Sequence, residues 1–408
     1  MSPSITELLC RADPASCPVA LLSGRGDPEL SRHSYFFCDP VARTRSWQEA
    51  ASLAAGEDGT PRAVGLINYE HGWNFVDPAR VPRPHPFDEA PAEFLIFDGC
   101  YVKDEQTGST RVSGRASTVR RLLEQTGASK LEGRLQDELK PRWSKAHYVR
   151  RVSALLALIR DGEVYQANLT YPLRGRFLGD PRAAFMRLAD FAPPFAAYVG
   201  RGQERAVVSA SPECLLRFEA ERGLASSFPI KGTRRRDPDS QRDRELAQAL
   251  AASEKDRAEH LMIVDLVRND LGRVAEVGSV HVDPLAYVET FSTVHHVTSA
   301  VRARVPDGGR AFEALFPGGS ITGAPKLRAM EVIDDLEGEA RGLYTGSIVA
   351  LHGDGSVTAS IAIRTAEIAR GEVRFGVGGG IVIDSFPEDE WEETKVKARA
   401  LSEALAGA

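Results

Sequence analysis

No stretch of this chain approaches the roughly 18 consecutive apolar residues of a membrane span, and its amino terminus lacks a basic segment followed by an apolar run. Neither a membrane partner nor an export signal is expected, and cytoplasmic residence is the default. Basic residues are not in surplus either. Lysine and arginine number 51 against 57 acids, a net charge of −6, which argues against nucleic acid as a partner. The five cysteines, Cys10, Cys17, Cys38, Cys100 and Cys214, are scattered and without CxxC spacing, which fits reduced thiols better than disulfides or a zinc site. Nucleotide loops are missing too. Gly376-Val377-Gly378-Gly379-Gly380 has Ile381 where a dinucleotide fingerprint needs its third glycine, and Gly318 to Lys326 lacks the Gly-Lys-Ser/Thr ending of a phosphate loop. A small molecule or another protein is left as the partner.

The 408 residues, 42% of them hydrophobic, suffice for two domains or one large intertwined one. Strand-like runs occur at 62–67, 93–97, 164–173, 206–210 and 213–218, and again near 294–305, 344–352, 357–367 and 372–383. Helical spacing predicts helices over 147–160, over 239–267 with Leu246, Leu250, Leu261, Val264 and Val267 inward, over 326–336 and from 389 to 405. Strands and helices are grouped rather than strictly alternating, so the expected class is α+β.

Within that frame Lys231 stands out. It lies in Phe228-Pro229-Ile230-Lys231-Gly232-Thr233, where proline fixes φ on one side and glycine permits close backbone approach on the other. Glu213, ending a Ser-Pro-Glu, precedes it by 18 positions. An amine and a carboxylic acid converging on one small molecule can serve as nucleophile and leaving-group acid. Acidic clusters at 253–260 and at 388–394, where Glu390 and Glu393 lie three apart on one helix face, could supply oxygen ligands to Mg²⁺ or simply complement helix dipoles. The glycine run could offer amides to a carboxylate, or mark a bulge. Arg364, on an apolar stretch read as strand, needs an anion, whereas His296 reads first as a core histidine.

Ser211-Pro212-Glu213, Pro229-Ile230-Lys231-Gly232-Thr233, Glu254 to His260, Val264 to Leu271, Gly323-Ala324-Pro325-Lys326 and Gly378 to Val382 with Asp384-Ser385 together resemble the chorismate-utilising enzymes. Order and spacing match over roughly residues 145 to 405. Residues 1–140 resemble the variable amino-terminal part of that family and 141–408 its chorismate-binding catalytic domain, which implies a large intertwined two-subdomain fold with antiparallel sheets flanked by helices.

The resemblance also implies roles. Lys231 would attack C2 of chorismate while Glu213 protonates the leaving C4 hydroxyl. Mg²⁺ would be held by Glu259 and Glu393, with Glu390 close by. Arg364 and the amides of Gly378, Gly379 and Gly380 would hold the pyruvyl carboxylate, Lys397 the ring carboxylate, and His296 and Thr322 would orient the ring. Family members that add water at C2 carry a lysine base where this chain has Gln166, and those that form anthranilate usually have a small alanine where it has Lys231. The expected reaction is therefore amination at C4 to 4-amino-4-deoxychorismate, on the path to 4-aminobenzoate and folate. An anthranilate-forming large subunit and a catalytically silent regulatory paralogue are the alternatives. The chain has no Gly-x-Cys-x-Gly nucleophile elbow, so ammonia would come from solution or from a separate glutamine amidotransferase subunit, which the family implies.

Overall fold

A computed structural model describes residues 3–24, 32–127, 130–291 and 294–407. Two large, mainly antiparallel sheets face each other, and helices cover their outer faces. The strand Val19–Ser23 shows how this layering is written in the chain. Successive side chains of a strand point to opposite faces, and here Val19 and Leu21 enter the cluster between the sheets while Ala20 and Leu22 face the outer helices. Phe36 and Phe37 divide in the same way. Each fully buried large apolar side chain stabilises by about 1.5–3 kcal/mol, so a one-residue register slip would exchange both layers at once.

The first sheet has twelve described strands. Gln166–Gly179 and Glu372–Ile381 pair along most of their length near one end, followed outward by Thr365–Ala369, Arg205–Ser211, Phe195–Gly200 and then Val19–Ser23. The second has nine, including Leu224–Phe228, Cys214–Glu219, Val357–Ile361, Ser347–His352 and Pro61–Ile67 in spatial order. A third sheet of three strands contains Ile230–Arg235, Val294–Thr298 and Tyr287–Thr290. Strands from the first 140 residues are thus woven into both large sheets beside strands from the rest. The α+β class holds.

Local chemistry sets the helix ends. Ser144 caps Lys145–Arg160 by accepting the His147 N–H, and Pro387 opens the closing helix Pro387–Ala406, whose first turn carries Glu388, Asp389 and Glu390 at the positive end of the dipole. The expected single helix over 239–267 is two. Ser240–Ala251 ends at Ala252, and Ser253 starts Glu254–Gly272 afresh by accepting the Asp256 N–H. A serine cap inside a continuous apolar pattern therefore marked a break. Leu261, expected inward, is 39% exposed, whereas Leu250, Val264 and Val267 are buried as expected.

The run 357–367 is also two strands. Val357–Ile361 belongs to the second sheet and Thr365–Ala369 to the first, and the chain crosses between them at Ala362 to Arg364. Arg364 consequently sits in a left-handed conformation, φ 50°, at a crossover and not within a strand. Likewise 294–305 splits into Val294–Thr298 and Val301–Arg304, which join different sheets.

Candidate active site

Four crossovers between sheets assemble the site. The chain leaves Arg205–Ser211 for Cys214–Glu219 through Pro212 and Glu213, and returns from Val357–Ile361 to Thr365–Ala369 through Arg364. These two crossings lie side by side. Ser211 Oγ donates to the Ile361 carbonyl at 2.6 Å, Ile361 N–H to the Glu213 carbonyl at 3.1 Å, and Ala210 N–H to the Arg364 carbonyl at 3.0 Å. At the third, Pro229 breaks Leu224–Phe228 from Ile230–Arg235 and delivers Lys231; at the fourth, Ser299 and Ala300 separate the strand of His296 from Val301–Arg304. A β-bulge falls between Lys231 and Thr233, where Gly232 has φ 69°. A bulge re-aims the side chain beside it.

Glu213 is 5% exposed and accepts a hydrogen bond from Ser320 Oγ at 2.7 Å. Burial pushes its carboxyl up to about 7, outweighing the Ser320 hydrogen bond, the Lys231 charge and the Ile230 N–H, all of which favour the ionised form. Lys231 keeps some accessible surface, and its charge interacts with those of Glu213, Glu259, Glu393 and Lys397. Burial lowers its pKa, the Lys397 charge lowers it further, and the three carboxylates only partly restore it. Each member of the pair is driven toward its neutral form. That is the state in which an amine is nucleophilic and a carboxyl can donate.

Opposite this pair runs the glycine strand. A methyl group placed on Gly380 would lie 2.8 Å from Gln166 Nε2 and 3.1 Å from Lys231 Nζ, so Gly380, Gln166 and Lys231 share one point. Gln166 is fully buried, with neither side-chain polar atom hydrogen-bonded among the described residues. A buried amide left open in this way has both a donor and an acceptor unused. Beyond Phe375, residues 376–381 pair with Gln166–Gly179 on one edge, while Thr365–Ala369 covers the other edge only from 372 to 375. The described strands leave the other edge of 376–381 unpaired. Replacing Gly380 with Ala should keep the melting temperature while lowering turnover on the order of 10²-fold, the scale of an ångström-level misplacement. A steady-state comparison checks this, and unchanged turnover would detach the glycine strand from the site.

The acidic residues come from two helices. Burial raises the Glu259 carboxyl, which Lys231 and Lys255 pull back down, and burial also raises Glu390, which accepts from Ser385 Oγ at 2.7 Å. Glu393 is held low, first by Lys397 at 2.6 Å. Lys397, 44% exposed, also donates to the Gly378 carbonyl at 3.1 Å, joining the closing helix to the glycine strand. The oxygens of Glu259, Glu390 and Glu393 are not gathered as tightly as the described cluster of His85, Glu89 and Glu367, whose donor atoms lie within 4.8 Å of one another. In that cluster Arg201 and Arg374 already neutralise the carboxylates.

Among the remaining expected residues, His296 is buried, with Nδ1 2.9 Å from Thr233 Oγ1 and Nε2 without a hydrogen bond among the described residues; burial pushes its pKa down to about 4, so the ring is neutral. The Arg364 guanidinium has no hydrogen bond or ion pair among the described residues, and burial lowers its pKa. Thr322 turns its hydroxyl back onto the Gly318 carbonyl at 2.8 Å. Sequence reasoning passed over Ser320, visible only as the serine of a glycine-flanked turn. It also passed over His260, which is fully buried, bonds Ser299 Oγ at 2.6 Å and feels the Lys231 charge.

The fold and this constellation define an α+β protein with a buried amine and acid within electrostatic reach of further carboxylates. A sequence profile for chorismate binding enzymes matches residues 30–403, and the chain belongs to that family. It is 43% identical to aminodeoxychorismate synthase component 1 of Salmonella typhimurium over 84% of this chain and 76% of the relative. Its match to aminodeoxychorismate synthase of Streptomyces griseus is 48% identical over 63% of this chain and spans 36% of that protein's length. The anthranilate synthase component I structure from Streptococcus pneumoniae superposes with a TM-score of 0.81 at 26% identity, covering 91% of this chain and 92% of that one. Among the described residues no helix is long and apolar enough to cross a membrane.

Proposed function

We propose that the protein aminates chorismate at C4, giving 4-amino-4-deoxychorismate on the route to 4-aminobenzoate and folate in the cytoplasm. One observation carries the reading: Lys231 lies within electrostatic reach of Glu213, and burial disfavours the charge on both. Lys231 Nζ bonds to C2, both conjugated ring double bonds shift round the ring toward C4, and the C4–O bond breaks as Glu213 gives its proton to the departing hydroxyl, which leaves as water. Ammonia then bonds to C4, both double bonds shift back, and the C2–N bond breaks to release Lys231 as the amine while the ionised Glu213 takes the proton shed at the new C4 nitrogen, so two displacements give net substitution at C4. A lysine at position 231 favours this outcome over direct amination at C2, because it fills C2 before ammonia arrives.

Arg364 and the Gly378 to Gly380 amides hold the pyruvyl carboxylate, Lys397 the ring carboxylate, and His296 and Thr322 orient the ring. Gln166 cannot act as a base toward water, which keeps C2 from hydroxylation. Glu259, Glu390 and Glu393 offer hard oxygen donors, and a divalent cation held by them would offset the burial that disfavours ionised Glu259 and Glu390. Mg²⁺ would supply charge neutralisation for the dianionic substrate. Ammonia comes from a separate glutamine amidotransferase subunit, in keeping with the component 1 name of the Salmonella relative.

Mass-resolved product analysis with chorismate, Mg²⁺ and ammonium tests the reading. The expected product retains the enolpyruvyl group and carries nitrogen in place of the C4 hydroxyl, whereas anthranilate with pyruvate would overturn it. A chelator should stop turnover reversibly, and Glu393→Gln should raise the Mg²⁺ concentration for half-maximal rate by about tenfold or more. An unchanged Mg²⁺ titration in that variant would remove Glu393 from the ligand set.

A further inference from the structure

Behind the site lies a buried arginine whose donors are fully occupied. Arg341, 3% exposed, follows the helix Lys326–Glu337. Its Nε donates to Glu337 Oε2 at 2.9 Å and its Nη2 to Glu337 Oε1 at 2.7 Å, a bidentate pair. Its Nη1 donates to the Ile321 carbonyl at 2.9 Å and to Thr345 Oγ1 at 3.3 Å, and its Nη2 also donates to the Asn168 carbonyl at 2.5 Å. A guanidinium has five N–H groups, and all five are engaged.

An ion pair with Glu337 needs only two of them. Two more grip backbone carbonyls of segments that carry site residues. Ile321 directly follows Ser320, the hydrogen-bond donor to Glu213, and Asn168 is two residues from Gln166 on one strand. The same two segments are cross-tied by Asn168 N–H to the Thr322 carbonyl at 2.8 Å and Asn168 Nδ2 to the Ile321 carbonyl at 3.2 Å. Glu337 extends the grip by accepting from Thr170 N–H at 2.8 Å and Thr170 Oγ1 at 2.9 Å. From the amino-terminal part, Tyr69 lies under the guanidinium with its ring centroid 4.5 Å away, and the Glu70 carboxylate accepts the Arg341 N–H at 2.6 Å and the Gly342 N–H at 3.1 Å.

We propose that Arg341 is a positioning residue for Glu213: it clamps the turn that presents Ser320 to the strand that presents Gln166, and so maintains the Ser320–Glu213 hydrogen bond. The role rests on Glu213 being the acid of the proposed reaction, but the clamp itself does not depend on the substrate. Lysine cannot replace it, because three N–H groups on one nitrogen cannot reach Glu337 and two separate carbonyls in a planar fork.

The test is the titration of Glu213 in the free protein, followed by infrared difference spectroscopy with Glu213→Gln as the blank. In Arg341→Lys the Ser320 bond, which favours the ionised carboxylate, is lost. The Glu213 midpoint should then rise by roughly one pH unit, the equivalent of one hydrogen bond to a charged group. A lower melting temperature with an unmoved midpoint would make Arg341 a structural ion pair and overturn the proposal. Glu70→Gln loosens the clamp from the amino-terminal side while leaving the guanidinium in place, and should move the midpoint in the same direction by less. If Arg341→Lys does not fold, an unmoved midpoint in Glu70→Gln overturns the proposal instead. Because no chorismate is present, a shifted midpoint beside a negative product analysis would keep the clamp and reject the substrate reading.

Discussion

Lys231→Ala should lose C4 amination, with turnover falling on the order of 10³-fold or more, because the proposed mechanism loses its covalent nucleophile outright. Chorismate binding and its Mg²⁺ dependence should persist, since the carboxylate-binding groups and Glu259, Glu390 and Glu393 are untouched. Stability should not fall at neutral pH. Burial lowers the lysine pKa, so the folded state holds its proton less firmly than the unfolded chain does, and removing the amine removes that penalty. Single-turnover rates alongside equilibrium binding of chorismate separate the outcomes. Amination at the wild-type rate would end the covalent role of Lys231, and lost binding would make Lys231 a binding residue.

Glu213→Gln should lower turnover by about 10²–10⁴-fold, the range for a general acid. It should also change the pH profile. The acid works while protonated, so the wild-type rate, expressed per neutral ammonia, should decline as pH rises through about 7, and this limb should vanish in the variant. The two groups interact, so the observed limbs belong to the pair. A stability signature accompanies the kinetic one. The folded-state pKa of Glu213 is raised, so its contribution is fully present below the unfolded value of 4.5 and is lost as pH climbs through about 7. Glutamine avoids that loss and should stabilise the protein above pH 7 by up to about 3 kcal/mol, with no gain below pH 4.5. Melting curves at pH 4 and pH 8 check the sign. A variant equally destabilised at both would show that Glu213 folds as a carboxylate.

Residues proposed to act through chemistry were legible, whereas those that act through topology were not. Lys231 and Glu213 stood out because proline and glycine flank one and a Ser-Pro precedes the other, and both lie at crossovers where such residues are needed. Period-2 patterns located the strands but not the sheet each one joins. The run 357–367 therefore read as one strand, and Arg364 as a cation within it, when a left-handed break carries it across to the site. Ser253 was legible as a helix cap only against the apolar repeat that continues through it. Arg341 gave no signal, because its four partner residues include ones as far as 173 positions away in the chain. Long-range convergence of this kind leaves no local pattern.

The most direct measurement is the intact mass of the protein mixed with chorismate and Mg²⁺ in the strict absence of ammonia, quenched within the first turnover. The expected result is a species heavier by chorismate less one water, located on Lys231 by peptide mapping and discharged to 4-amino-4-deoxychorismate when ammonium is added. Unmodified protein throughout, with amination still proceeding once ammonia is supplied, would contradict it.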